Sequence, residues 1–552
     1  MSLRTFLTVA PFFGLAAAQS NSYVNQTTCN GKTYTYQALG GYGYIPGTAR
    51  DEFGDTIGGI GSAIAIDTKS WEKLENGSYT GILWALPDRG WFVAFSVLFP
   101  PSIYHLPIVP GVTAKLLELF GEGEGTLNFQ TRVHKFDIIF TPAANATVKS
   151  PSGNNLWFKY SDTVLFSGPD GTPTTGLDAD GSGHLSYSGF PDLPVATYTG
   201  DGFGGNGTGG RRVSVDAEGL VLDGAGGWWV SDEYGPYIYH FNSTGTMTSA
   251  IRPPDAFIPM RNGSESFSAD SPYHYPDQGS GDDVSPADNP TGRDNNHGFE
   301  GLSISADGKT LYTLLQAANN QEGGLKSQTE RYSRFLSYDI SDPENPLYLS
   351  EYVVPLPLWT DPTAKASKNP KVAAQSEIHA LPNGQFLILA RDSGSGNGQD
   401  STESIYRQID IFDISNATNV KGTKYDCATC AIASSTGALG SGIKTATYCA
   451  WLDVNDNDEL KRFGVHNGGK TDKGLLNEKW ESIAVVPVDG KEGADGEWYI
   501  FSLSDNDFIT QDGYLEGGKF TYSDGSGYNL DNQALVFKVK IPVGGLTEKY
   551  GV

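Results

Sequence analysis

One pattern recurs through this chain and limits what it can fold into. An acid is followed by a small or apolar residue, an apolar strand, a glycine turn and a second apolar strand that ends in polar residues. It appears as EGLVLDGAGGWWVSDEYG (218–235), GFEGLSISADGKTLYTLLQ (298–316), SEIHALPNGQFLILARDSG (376–394) and KWESIAVVPVDGKEGADGEWYIFSLSDND (479–507). A fifth stretch, 59–90, follows the same plan without the leading Glu. The leading acids Glu218, Glu300, Glu377 and Glu481 stand 82, 77 and 104 residues apart. That unit is too long for a hairpin and too short for a second domain, and it suits a four-stranded propeller blade with decorated loops.

The remaining sequence agrees with an all-β chain. Apolar runs are short, rich in β-branched and aromatic residues, and bounded by Gly, Asp, Asn or Pro, as at Phe136–Phe140, Thr163–Phe166, Phe386–Ala390 and Trp498–Leu503. A helical period is visible only at Val112–Phe120. About six blades are expected, starting near residues 58, 132, 216, 298, 376 and 479, with seven as the alternative because the 132–215 unit is irregular. The last strand, Ala534–Ile541, is expected to pair with the N-terminal segment 19–54 and close the ring, leaving no open edge. The propeller domain spans 55–552, and the polar, Pro-rich stretch 253–296 reads as a long insertion, a surface loop in preference to a lid.

The first 18 residues carry Arg4, an apolar run broken by Pro11 and the small residues Ala16–Ala18, the form of a cleaved export leader. Export is the expected fate, with the cell wall as one destination. Seven N-x-[ST] sequons, at Asn25, Asn76, Asn145, Asn206, Asn242, Asn262 and Asn416, fit a glycoprotein. Cys29, Cys427, Cys430 and Cys449 then form two disulfides, with three connectivities open. A net charge of −26 argues against nucleic acid or an anionic membrane as partner, and no later segment is apolar enough for a span. A monomer acting on a small molecule is expected.

The propeller reading explains why buried strands should end on acids. Inner strands of all blades converge on one axis, so strand-end residues far apart in sequence meet in one funnel. Asp88, Asp232, Asp392 and Asp505 are such ends, Glu233 and Asp507 flank two of them, and Arg89 and Arg391 sit beside two. Crowded carboxylates repel and are costly to desolvate unless cations stand among them. Hard oxygen ligands in this number favour Ca²⁺, with Mg²⁺ as the alternative. Glu218, Glu300, Glu377, Glu481, Asp505 and Asp507 are the candidate metal ligands. Asp88, Arg89, Asp232, Glu233, His297, Arg391 and Asp392 are the candidates for orienting water, moving a proton or contacting an anionic group. Asp178-Ala-Asp180 and the acidic run at Asp453 each resemble a calcium loop but lack its Glu or Gly. No G-x-S-x-G and no R-H-G occurs, which argues against a serine elbow or a phosphohistidine route.

Five ordered stations carry a family resemblance: DRG (88–90), EGL to WWVSDEYGP (218–236), NNHGFEGLS (295–303), SEIHAL to FLILARDSG (376–394) and WESIAV to LSDNDF (480–508). On these the chain resembles the phytase-like family, described by an esterase-like activity of phytase, over about residues 55–541. The resemblance implies hydrolysis of a phosphate monoester or another ester. Alternatives are a calcium-dependent lactonase or carboxylesterase, and a secreted propeller that binds a ligand without turnover.

Overall fold

The computed structural model describes residues 23–95, 123–271, 284–489 and 496–543; the expected leader and the periodic run at 112–120 lie outside these. Among the described residues the chain forms five antiparallel blades. From the inside outward, blade 1 is Ala63–Lys73, Tyr79–Leu86, Arg132–Phe140 and Leu156–Leu165, and blade 2 is Ala217–Leu222, Trp228–Asp232, Ile238–Phe241 and Met247–Ile251. Blade 3 is Phe299–Ile304, Thr310–Leu315, Tyr332–Asp339 and Leu347–Pro355. Blade 4 is Ala374–Ala380, Phe386–Arg391, Arg407–Asp413 and Thr447–Asp453.

Blade 5 is assembled from both ends of the chain. Ala484–Pro487, Glu497–Leu503 and Asn532–Lys540 come from the C-terminal part, and Lys32–Ile45 and Asn25–Cys29 from the N-terminal part. Leu39 pairs with Phe537 where the two meet. Ring closure by the last strand is therefore as the sequence suggests. The count of six or seven is corrected to five, because the unit starting near 132 supplies the outer half of blade 1: Leu83 pairs with Phe136 across its second and third strands.

Strand alternation explains the core. Successive side chains in a blade point to opposite faces, so each blade feeds two junctions. Trp228 packs into the cluster shared with blade 1, beside Leu86 and Val133, while Trp229 joins the cluster shared with blade 3, beside Leu302 and Leu336. Ile388 faces blade 3 and Leu389 faces blade 5; Ile500 faces blade 4 and Phe501 faces blade 1. Five such clusters fill the five junctions.

Two links hold the ring beyond packing. Cys29 in the outermost strand of blade 5 bonds to Cys449 in the outermost strand of blade 4, and Cys427 bonds to Cys430 in the loop before that strand. The insertion between blades 2 and 3 is firmly docked where it is described. Arg261 donates to Ser266, Ser268, Pro286 and Ala287 carbonyls and to Asn295 Oδ1, and fully buried Arg293 donates to Tyr234, Phe267 and Asp294 carbonyls. Asp178 completes this anchor by accepting from Ser268 Oγ and the amides of Ala269 and Ser271. Asp456 caps a one-turn helix, Asn457–Leu460, which follows the acidic run.

Candidate active site

Register fixes which residues meet at the axis. In the inner strands Ile64 pairs with Ala85, Leu220 with Val230, Leu302 with Thr313 and Ile378 with Ile388, and the Ala484–Phe501 pair places Ile483 opposite Ser502. These five apolar residues are equivalent, since each packs toward the preceding blade. Two residues before them stand Ser62, Glu218, Glu300, Ser376 and Glu481. Three residues past their partners stand Asp88, Glu233, Gln316, Arg391 and Asp505. One end of the axis is thus a polar mouth and the layer below it is apolar.

Two glycines permit the approach of the blades at this mouth. A Cβ on Gly61 would lie 2.0 Å from the Asp505 amide nitrogen, and one on Gly298 would lie 2.4 Å from Glu233 Cα. Neither backbone can give way, so only glycine fits.

Eight carboxylates, Asp88, Asp216, Glu218, Glu233, Glu300, Glu481, Asp505 and Asp507, surround three cations, Arg89, Arg391 and Lys479. Arg89 Nη1 contacts Asp216 Oδ2 at 2.8 Å and also donates to Asn296 Oδ1 from the end of the insertion. Asn296 holds this contact from a left-handed backbone, φ 51°, which Asn tolerates. Lys479 Nζ lies 2.6 Å from Asp507 Oδ1, and Arg391 pairs with Glu481. Ser62 Oγ donates to Asp505 Oδ2 across the blade 5 to blade 1 junction at 3.2 Å. Gln316 donates to Glu300 Oε1, while Glu300 Oε2, Glu233 Oε1, Arg89 Nε and Arg391 Nε are buried without a partner. Glu218 accepts no hydrogen bond among the described residues.

Electrostatics follow from this crowding. Burial and then the charge of Glu233, Glu300 and Asp216 push the Glu218 carboxyl well above its usual range. Burial raises Glu233 and Glu300 too, reinforced by Glu300 and Glu481 respectively. Asp505 is pushed up to about 7 by burial, with Lys479 opposing the rise. Burial would favour loss of the Lys479 proton, but Asp507, Glu481, Asp505 and Asp88 outweigh it and keep the ammonium charged.

Each residue singled out by the sequence has a definite place. Asp88, Arg89, Glu218, Glu233, Glu300, Arg391, Glu481, Asp505 and Asp507 gather at the mouth. Asp232, Asp392 and Glu377 sit one residue out of phase with them and are engaged by the scaffold. Asp232 accepts from the amides of Asp216 and Tyr234 and from Tyr239 OH. Asp392 accepts from Ser404 Oγ and the amides of Ile405 and Tyr406. Glu377 Oε1 accepts from the amides of Leu302 and Ile378, tying blade 4 to blade 3. His297 has Asp294 and Arg293 as its charged neighbours, its Nδ1 lying 3.9 Å from Asp294 Oδ2. Asp216, Lys479 and Asn296 belong to the mouth although the motif reading passed over them. Asp216 and Lys479 stand two residues before Glu218 and Glu481, a spacing that could have revealed them.

Fold and site together define a five-bladed β-propeller with an acidic axial mouth. Residues 131–508 match the family described as phytase-like, esterase-like activity of phytase. The chain belongs to the phytase-like family. It is 50% identical over 518 residues to an Arthroderma benhamiae protein named "Uncharacterized secreted protein", covering 93% of this chain and 94% of that one. Among solved structures, a putative 6-phosphogluconolactonase from Bacteroides uniformis is similar at 10% identity and TM-score 0.23, covering 91% of this chain and 94% of that one. A gluconolactonase from Xanthomonas campestris reaches TM-score 0.19 at 10% identity, covering 66% and 97% respectively. TM-scores this low carry no argument about this chain.

Proposed function

We propose that the chain is an exported, monomeric ester hydrolase working at the axial mouth, with a divalent cation, Ca²⁺ in preference to Mg²⁺, held among the carboxylates. The observation that carries this reading is the excess of eight carboxylates over three cations, with buried oxygens of Glu233 and Glu300 left without partners. Such a site persists only if positive charge or protons complete it. One oxygen from each of Asp216, Glu218 and Glu233 lies within 4.8 Å of the others, as do oxygens of Asp88, Asp505 and Asp507. Oxygens this close could share one Ca²⁺, which Asp216, Glu218 and Glu233, or Asp88, Asp505 and Asp507, would hold. Each group has one member already on a cation, Asp216 on Arg89 and Asp507 on Lys479. Glu233 Oε1 has no partner, whereas Asp88 and Asp505 accept from Gly90, Ser62 and the Asp507 amide, so the first group is the preferred holder.

A bound cation supplies Lewis acidity toward an ester oxygen. The protein's own residues supply the rest. Lys479 and Arg89, both held charged by the surrounding acids, stabilise negative charge that develops on the reacting group. Glu300, with its raised pKa and free Oε2, donates a proton to the leaving oxygen, and Asp88 orients the attacking water. The carboxylate excess favours a carboxylic ester or lactone over a densely phosphorylated substrate, which makes a calcium-dependent carboxylesterase or lactonase the stronger variant of this reading. Export is supported by the leader-like N-terminus and by the secreted relative.

The test is turnover of p-nitrophenyl acetate, a γ-lactone and p-nitrophenyl phosphate, with and without chelator. Hydrolysis is expected to disappear on chelation, return with Ca²⁺ and fall by roughly 10²-fold or more in Glu233→Gln. A folded, Ca²⁺-loaded protein inert toward all three esters would make it a ligand-binding propeller instead.

A further inference from the structure

The apolar ring Ile64, Leu220, Leu302, Ile378 and Ile483 floors the acidic mouth, and on its far side lies a cavity of about 400 Å³. It opens at the opposite face of the propeller, where the register break of the first strand at Lys69 and the turns at Gly226, Gly308 and Pro382 form its rim. Two residues beyond the ring, the same strands present Ile66, Leu222, Ile304, Ala380 and Val485 to its wall, joined by Trp84 and Trp228. Water filling this space would find few polar partners, because a stable buried water needs about three. Its volume is that of a small-molecule site, and such sites combine apolar walls with a few polar groups.

One cationic side chain stands at the open end, that of exposed Lys69. Lys69 forms no ion pair among the described residues. His379 lies deeper, one residue past the ring residue Ile378, and its side chain makes no hydrogen bond among the described residues. The two carboxylates that also line the cavity are already engaged. Asp67 Oδ1 accepts from the Lys69 amide at 3.0 Å, and Glu377 Oε1 takes two amides at the inner end. Apolar walls with one unpaired cation at the rim match a particular ligand chemistry.

We propose that this axial cavity binds a linear aliphatic chain bearing one anionic head group, the chain running toward the apolar ring and the head resting beside Lys69 at the rim. The site is independent of ester hydrolysis at the other end of the axis. The tryptophans in its wall report on it directly. Titration with 12-bromododecanoate should quench their fluorescence saturably, and unbrominated dodecanoate should reverse the quenching by competition. Shortening the competitor to decanoate should weaken it by roughly tenfold, as two buried methylenes imply. Ala380→Phe, which fills the cavity, should abolish saturable quenching; should that variant not fold by circular dichroism, Val485→Phe serves in its place. Lys69→Glu should weaken dodecanoate but not dodecanol. Linear, unsaturable quenching, or equal binding by a folded filled variant, would overturn the site, and an unaltered dodecanoate affinity in Lys69→Glu would overturn the head-group assignment.

Discussion

Asp505 shows how much of this protein's behaviour is set by single side chains. It is 1% exposed, accepts from Ser62 and from the Asp507 amide, and is pushed up to about 7 by burial. Glu218, Glu233 and Glu300 are raised in the same direction. A carboxyl with a raised native pKa holds a proton that the unfolded chain releases, so its contribution to stability is complete below about pH 4 and is lost as pH rises through the native pKa. Without added metal this contribution should therefore decline from pH 4.5 to 7 and beyond. On the proposed reading Ca²⁺ would replace those protons, so it should raise the unfolding midpoint far more at pH 7 than at pH 4.5, as read by thermal melts with chelator and with Ca²⁺. Equal shifts at both values would show that the mouth is not where the ion binds. The acids themselves were legible in the sequence, but their phase was not. The inner strands of blades 2, 3 and 4 carry equivalent register shifts, but Glu218 and Glu300 stand two residues before Leu220 and Leu302 and enter the mouth, whereas Glu377 stands one residue before Ile378 and joins the scaffold. A one-residue slip exchanges faces, and no composition signal records it.

Strands were the easier scale to read, because alternation and glycine turns mark their ends. Trp228 and Trp229 are adjacent yet serve different junctions, which is what a strand buried on both faces requires. Trp228 packs at 5.1 Å, edge to face, against Trp84 of the neighbouring blade and near Phe166. Trp228→Ala should cost about 3–5 kcal/mol in a chemical denaturation series, since the rigid strands on either side cannot collapse into the space. A cost below about 1 kcal/mol would mean that the blade 1 to blade 2 contact is not stabilising. The blade count failed at this scale for a reason of chain layout. The second and third strands of blade 1, Tyr79–Leu86 and Arg132–Phe140, are separated by a long connection, so its outer half looked like a new unit.

For the whole molecule, closure is the governing event. Cys29–Cys449 spans 420 residues and Cys427–Cys430 only 3. A cross-link limits the unfolded chain more when its loop is long. Removing the first by Cys29→Ser with Cys449→Ser should lower stability by about 2–5 kcal/mol in reversible unfolding, while the Cys427→Ser, Cys430→Ser pair should change it little. Equal losses would show that the long bridge does not act through closure. The sequence indicated that both chain ends meet in one blade, from the strand-like run at the C-terminus. It left the cysteine pairing open, because pairing depends on which blades become neighbours.

Mixed parentage of blade 5 also governs how the molecule is made. The strand Lys32–Ile45 leaves the ribosome long before its hydrogen-bonding neighbour Asn532–Lys540 is translated. At roughly 5–20 residues per second, Cys29 waits on the order of half a minute or more before Cys449 even exists. Throughout that interval Cys29 lacks its native partner and the strand its native neighbour, so the fifth blade can close only after the other four have been translated.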